Sequence, residues 1–198
     1  MSLTKVKTDM VNSNPLKAIL LFVIPMMLGN LFQQFYNVVD SAIVGKFVGM
    51  SALASVGASY SVTAVFIAVA SGGSMGCAVI ISQYFGACDY NKMKTCISTF
   101  IITFLAISVF LAVLGAFSGD TILSFIKTPE SSFKGASEYL RIYFYGLPFL
   151  FMYNVLSAVF NSMGDSRTPL TLLLFSSVLN IFMDLYFVVS LNMEISGA

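Results

Sequence analysis

The sequence contains no histidine and no tryptophan, and its 198 residues include only ten Lys or Arg and nine Asp or Glu. Without histidine the chain cannot supply a Ser-His-Asp triad or a His-Glu-x-x-His zinc site. It also contains no Walker-type phosphate loop, and a formal net charge of +1 offers no basic surface for nucleic acid. We therefore predict a protein that is not an enzyme and has no nucleic-acid partner.

Cysteine is also scarce. The three cysteines, Cys77, Cys88 and Cys96, are odd in number and lack Cys-x-x-Cys spacing, so neither a disulfide framework nor a zinc ribbon is indicated. We interpret them as small apolar side chains. No cofactor is predicted.

The chain is rich in apolar residues, since 58% of its residues are hydrophobic and only 10% are charged. A soluble domain of this size cannot bury that many apolar side chains, but a bilayer can solvate them. A membrane-spanning helix needs about 20 mostly apolar residues, and long runs nearly free of charge recur. We predict an all-α integral membrane protein whose residues 1–198 form a single lobe with about five transmembrane helices, at 17–45, 53–84, 95–118, 138–163 and 168–191.

Orientation in the membrane follows from the Lys and Arg residues near the span ends. The side that carries the amino terminus holds six of them and the opposite side holds four. We predict a multi-pass protein of the cell (inner, cytoplasmic) membrane with a cytoplasmic amino terminus. The six are Lys5, Lys7, Lys17, Lys92, Lys94 and Arg167.

Two carboxylates interrupt the apolar spans, Asp40 in the first and Asp184 in the fifth. An ionised Asp at the centre of a membrane helix costs about 2.5 to 3.5 kcal/mol on insertion scales, so such residues are candidates for function. Both lie a few residues before the same end of their spans, and Asn180 lies one turn before Asp184. No Lys or Arg lies deep in the spans to neutralise them. Each is therefore expected to bind a proton or a cation.

Amides and hydroxyls follow the same helical spacing. Gln33 and Asn37 lie on the face of the first span that carries Asp40, and Asn154 and Ser157 share a face of the fourth. Such faces are costly against lipid, so we expect them to point inward as a polar network that supports the aspartates. The alternative is that these side chains only join helices to one another.

Helix breakers lie within two of the spans. Pro25 and Gly29 can bend the first, and Pro148 can bend the fourth. We predict that these residues are hinges for alternating access; static kinks are the alternative.

Several segments, in order along the chain, resemble the MATE family of multidrug and toxic compound extrusion transporters. They are the first-span stretch from Pro25 to Gly45, the run Ser82-Gln-Tyr-Phe-Gly-Ala87, Thr128-Pro-Glu130 followed by Tyr139-Leu-Arg-Ile-Tyr143, the loop Met163-Gly-Asp-Ser-Arg-Thr-Pro169 and Leu179-Asn-Ile-Phe-Met-Asp184. The resemblance implies a bacterial-type transporter with twelve helices in two six-helix lobes. This chain would be the amino-terminal lobe, truncated where the sixth helix begins, with the carboxy-terminal lobe as its missing partner.

The resemblance also implies an activity, which is antiport of cationic, amphipathic small molecules against Na⁺ or H⁺. The family's cation site maps onto Asp40, Asn180 and Asp184, which would be the ligands of Na⁺, and Asn154 matches an amide of the same network. One departure is Asn161, where many relatives have Arg.

Two other functions remain open from the sequence. A lipid-linked oligosaccharide flippase of the same superfamily would use basic residues inside its cavity, and this chain has none deep in a span. A non-transporting helical membrane fragment would leave Asp40 and Asp184 without a role in transport.

Overall fold

The computed structural model describes residues 15–190, and within that range every regular element is helical. The helices are α1 (Pro15–Ile43), α2 (Met50–Gly86), α3 (Tyr90–Phe125), α4 (Glu130–Ser162) and α5 (Arg167–Asp184). A π-helical turn follows α1 at Val44–Val48, and another follows α5 at Leu185–Ser190. The all-α prediction is confirmed. The sequence-based statements about Lys5, Lys7, residue 191 and the chain end fall outside the described residues.

Within the described residues, four helical segments are long and apolar enough to cross a bilayer: α2, α3, α4 and Arg167–Val188. Helix α1, at 29 residues, is about 43 Å long at 1.5 Å per residue, which exceeds the hydrocarbon thickness of about 30 Å. Large apolar side chains such as Phe117 and Phe149 are exposed on these helices. Because lipid tails solvate such side chains, the chain is a multi-pass membrane protein.

The helices extend beyond the apolar segments from which the spans were predicted. The fourth begins at Glu130, directly after Pro129, rather than near residue 138. The third continues to Phe125, seven residues past the predicted span. Counting apolar residues stops at the first charged ones, although Lys134 and Glu138 are good helix formers at the membrane surface. The intervening connection is therefore only 126–129.

Helix α4 is the centre of the lobe, packed between α2 and α3. Its inward face is fully buried at Leu140, Phe144, Leu147 and Phe151, each at most 1% exposed. The Phe144 ring lies 5.2 Å from that of Phe66 on α2, edge to face, a favourable geometry for aromatic pairs.

Helix α2 approaches the backbone of α4 closely through serines. The Ser55 hydroxyl donates to the carbonyl oxygen of Ser132 at 3.1 Å, and the Ser59 hydroxyl donates to that of Ala136 at 3.4 Å. Small residues with a hydroxyl let two membrane helices pack tightly and hydrogen-bond across the interface.

Two short connections hold α3 and α5 in place. After α4, Gly164 adopts φ +84°, and the N–H of Asp165 donates to the carbonyl of Phe160 at 3.0 Å, the Schellman pattern of a helix end. The Asp165 carboxylate then accepts from the Thr168 N–H at 3.1 Å. After α2, Asp89 likewise caps α3 by accepting from the Lys92 N–H at 3.1 Å. That backbone hydrogen bond, aided by the Lys92 ammonium, lowers the pKa of Asp89.

Candidate functional site

The structure brings together the two carboxylates that the sequence singled out. Helices α1 and α5 pack side by side, and Asp40 and Asp184 lie near their carboxy-terminal ends. The two carboxyl groups lie close enough to each other to interact electrostatically. Asp184 is 3% exposed, and Asp40 is partly buried. Two facing carboxyl groups repel when both are ionised, so the pair can share a proton or hold a cation between them.

Three oxygens at this point receive no hydrogen bond within the described part of the chain. They are Oδ1 of Asp40, Oδ2 of Asp184 and Oδ1 of Asn180, and all three are buried. Buried polar atoms without partners are rare and require an explanation. Carboxylate and amide oxygens are the ligands that hard cations prefer. The chemistry of Asp40, Asn180 and Asp184 therefore suits a small cation.

Two tyrosines belong to the surroundings of the site, and sequence reasoning missed both. Tyr36 on α1 lies within electrostatic range of Asp40 and Asp184, and Tyr139 on α4 lies within range of Asp40. Tyr36 could have been found, because it lies one helical turn before Asp40 on the same face. Tyr139 could not, since its proximity depends on how α4 packs. The two phenols place hydroxyl groups near the carboxyl pair.

The expected polar network forms a separate feature from the carboxyl pair. A cavity of about 180 Å³ between α1, α4 and α5 is lined by Gln33, Asn154, Ser157 and Asn161, among others. The Asn154 side-chain N–H donates to the Leu150 carbonyl at 2.9 Å, and the buried Oδ1 of Asn161 receives no hydrogen bond.

Of the predicted network, Gln33, Asn154 and Ser157 thus meet one another around this cavity. Gln33 lies seven residues before Asp40, which places it about 10 Å away along α1. Asn37 does not line the cavity: its side chain is exposed and donates to Oε1 of Gln34 at 3.2 Å.

The three proposed hinge residues lie inside continuous helices. Pro25 and Gly29 are within α1 and line the same cavity, while Pro148 is within α4. A proline inside a helix removes one backbone hydrogen bond and weakens the helix there. Whether these positions bend during transport stays a prediction.

The π-helical turns adjoin the carboxyl pair, and no sequence pattern announced them. The first begins four residues after Asp40, and the second begins immediately after Asp184. The two turns contact each other, and the Gly49 N–H donates to the carbonyl of Val44, five residues earlier, at 3.1 Å. Single π-turns within α-helices frequently occur at functional sites.

Known proteins are similar to this chain over most of its length. The family model MatE matches residues 25–186. The probable multidrug resistance protein YpnP of Bacillus subtilis (strain 168) is 34% identical over 190 residues, covering 96% of this chain and 43% of the relative. Multidrug export protein MepA of Staphylococcus haemolyticus (strain JCSC1435) is 26% identical over 186 residues, covering 94% of this chain and 41% of the relative.

Solved structures give the same result for the fold. A multidrug resistance MATE family transporter of the MOP superfamily, in an outward-facing conformation, superimposes with a TM-score of 0.90 at 27% identity, covering 96% of this chain and 42% of that one. A MATE structure in the bent conformation gives 0.88 at 26% identity, with the same coverage. The chain therefore spans less than half the length of the relatives that it matches, and it belongs to the MATE family of multidrug transporters.

Proposed function

We propose that this chain is the amino-terminal lobe of a secondary active antiporter that exports cationic, amphipathic compounds in exchange for Na⁺ or H⁺. The observation that carries the proposal is the facing pair Asp40 and Asp184, together with the buried, unpartnered oxygens of both carboxylates and of Asn180. Helix α1 carries no Lys or Arg between Gly29 and Ile43, and Arg167 lies at the opposite end of α5 from Asp184. Lys46, in the turn after α1, is exposed. A mobile cation or proton therefore supplies the missing charge.

The coupling step is an exchange of charge at the pair. With a proton on one carboxyl, or with Na⁺ held by Asp40, Asn180 and Asp184, the site has lost one negative charge and the two side chains can stay close. When the ion leaves, the carboxylates repel each other across the contact between α1 and α5. The two occupancies thus favour different arrangements of these two helices, which a transporter driven by an ion gradient needs.

The exported compound is expected to use the separate cavity between α1, α4 and α5. Neutral amides and hydroxyls of Gln33, Asn154 and Ser157 provide hydrogen bonds there, while Met26 and Leu173 provide apolar contacts. A cavity of about 180 Å³ is smaller than typical drug sites of about 300 to 1,000 Å³. The carboxy-terminal lobe is therefore expected to complete the binding surface.

Helix α1 links the two sites. It carries Asp40 near one end and, at Pro25 and Gly29, the weak point that lines the cavity. Bending of α1 at this point would change the cavity when the ion leaves, and Pro148 gives α4 a similar weak point. We propose a cytoplasmic amino terminus in the cell membrane, so that Na⁺ or H⁺ enters as the compound leaves.

The test is efflux of a cationic dye from a bacterium that lacks its own major pumps, with the protein expressed from its natural reading frame. Asp40→Asn and Asp184→Asn are expected to abolish efflux. Asp120→Asn is the matched control, because Asp120 is an exposed carboxylate outside the site. Inverted vesicles with an imposed Na⁺ gradient or an imposed pH gradient then identify the coupling ion.

Loss of efflux in the control as well, or retention in both site variants, would contradict the proposal. The flippase alternative is not favoured, because the lining of the cavity contains no Lys or Arg to bind a pyrophosphate. The non-transporting alternative predicts no efflux from the parent either.

A further inference from the structure

A second depression lies between α2 and α3 and shares no lining residue with the cavity or the carboxyl pair. It has a volume of about 410 Å³ and begins at the short connection that joins the two helices. Its lining changes character along its length. Asn91 and Lys92 lie at the end near the connection, whereas Ile80 and Phe100 lie further along the helices.

The apolar part of the groove is deep enough to reach the hydrocarbon region. Asn91 and Phe100 are nine residues apart on α3, which corresponds to about 13 Å along the helix. Both helices are membrane-spanning by length and composition. Ile80 remains 41% exposed, because no other part of the described chain covers it. The acyl chains of the bilayer, which are the solvent at this depth, can reach such a groove.

The polar end of the groove carries positive charge. The Lys92 ammonium lies 3.0 Å from the Asp89 carboxylate, which uses one of its three N–H groups and leaves two for another acceptor. Lys94, two residues further on α3, adds positive charge to this turn but does not line the groove. The amino terminus of α3 adds a partial positive charge from its backbone. The Asn91 amide is a further donor.

We propose that this groove binds one anionic phospholipid. Its phosphate contacts Lys92 and Asn91 at the end near the connection, and one acyl chain lies along Ile80 and Phe100. Polar contacts followed within about 13 Å by apolar ones reproduce the order of groups in a phospholipid. A soluble anion would leave the apolar part empty, and a peptide would not require a net positive end at the membrane surface. The site is independent of the ion-coupling residues.

The headgroup contact is tested by native mass spectrometry of the protein, expressed from its natural reading frame and released from membranes that contain phosphatidylglycerol and phosphatidylcholine. We expect the parent to retain phosphatidylglycerol in preference. Lys92→Gln should lower its affinity about fivefold, the usual effect of one lysine near an anionic lipid surface. Lys94→Gln is the matched control, because Lys94 carries the same charge in the same turn but does not line the groove; it should change affinity less than twofold.

The acyl contact has its own pair of variants. Thr99→Phe fills the groove and should remove the retained lipid, whereas Ser98→Phe, at the same depth on an exposed part of α3 that does not line the groove, should leave it bound. If Thr99→Phe does not fold, Thr99→Leu replaces it.

Equal losses in both lysine variants would mean attraction to the surface as a whole and would overturn the proposal. Equal retention of phosphatidylcholine and phosphatidylglycerol by the parent would overturn it as well. Dye efflux is not part of the readout, so a failure here leaves the transport proposal untouched.

Discussion

Replacing Asp184 by Asn is expected to make the protein more stable and less active at once. Asp184 is 3% exposed and faces a second carboxyl group. An ionised Asp inside a membrane helix costs about 2.5 to 3.5 kcal/mol. Part of that cost is relieved when the pair shares a proton. Removing the charge should therefore stabilise the fold by about 1 to 3 kcal/mol, while ion-driven efflux is lost.

The assay is thermal unfolding of purified protein at pH 7, in choline chloride and again in NaCl. If the pair binds Na⁺, the parent gains about 2.7 kcal/mol when Na⁺ is present at 100 times its dissociation constant, and Asp184→Asn gains none. If the site takes only H⁺, neither protein responds to Na⁺. Asp40→Asn, like Asp184→Asn, should show no stabilisation by Na⁺.

The double variant gives a further check. Once one carboxylate is gone, the other no longer meets a like charge, so the second substitution should stabilise less than it does alone. A loss of more than about 1 kcal/mol from either single substitution would refute this reasoning, because it would mean that the carboxylate has a partner whose loss leaves a buried polar group unsatisfied.

Three predictions concern the scaffold. Gly115→Ala places a Cβ against the buried ring of Phe144 and should destabilise by about 1 to 3 kcal/mol, whereas Gly119→Ala, whose Cβ would lie 3.6 Å from that ring, should be neutral or stabilising in thermal unfolding. Lys127, in the connection after α3, has φ +55°, so Lys127→Gly should stabilise by about 1 kcal/mol. Because the pKa of Asp89 is lowered in the folded protein, its cap on α3 stabilises the fold at pH values above the ordinary Asp pKa. That stabilisation is lost as the pH falls through the lowered pKa. The melting temperature of the parent should therefore exceed that of Asp89→Ala by a constant amount from about pH 5 to 7, and by less in acid.

The sequence was sufficient to predict those features of the fold that the bilayer requires. Long apolar runs are sufficient to predict five helices, because lipid leaves few other structures possible. Asp40 and Asp184 could be selected because charge inside a span is rare. The helix start at Glu130 could not be predicted from apolar runs, because a helix emerging from the membrane no longer has to be apolar.

The arrangement of the amides could not be derived from spacing alone. Gln33 and Asn37 are four residues apart and share a face, yet Gln33 lines the cavity while Asn37 lies outside it and bonds to Gln34. Which part of a helical face meets a neighbour depends on where the helices cross and how they tilt, and these follow from packing across the whole lobe. Asn154 and Asn161 reach the cavity for the same reason.

The π-helical turns beside Asp40 and Asp184 have a mechanical consequence. A π-turn accommodates one residue more than the α-helix around it. If that extra residue moves along the chain, each residue it passes shifts by about 1.5 Å along the axis and turns by about 100°, while most backbone hydrogen bonds are kept. Helices α1 and α5 can therefore change register locally, next to the carboxylates, without unwinding. In hydrocarbon, where an open backbone is so unfavourable, this is a low-energy way for a helix end to move.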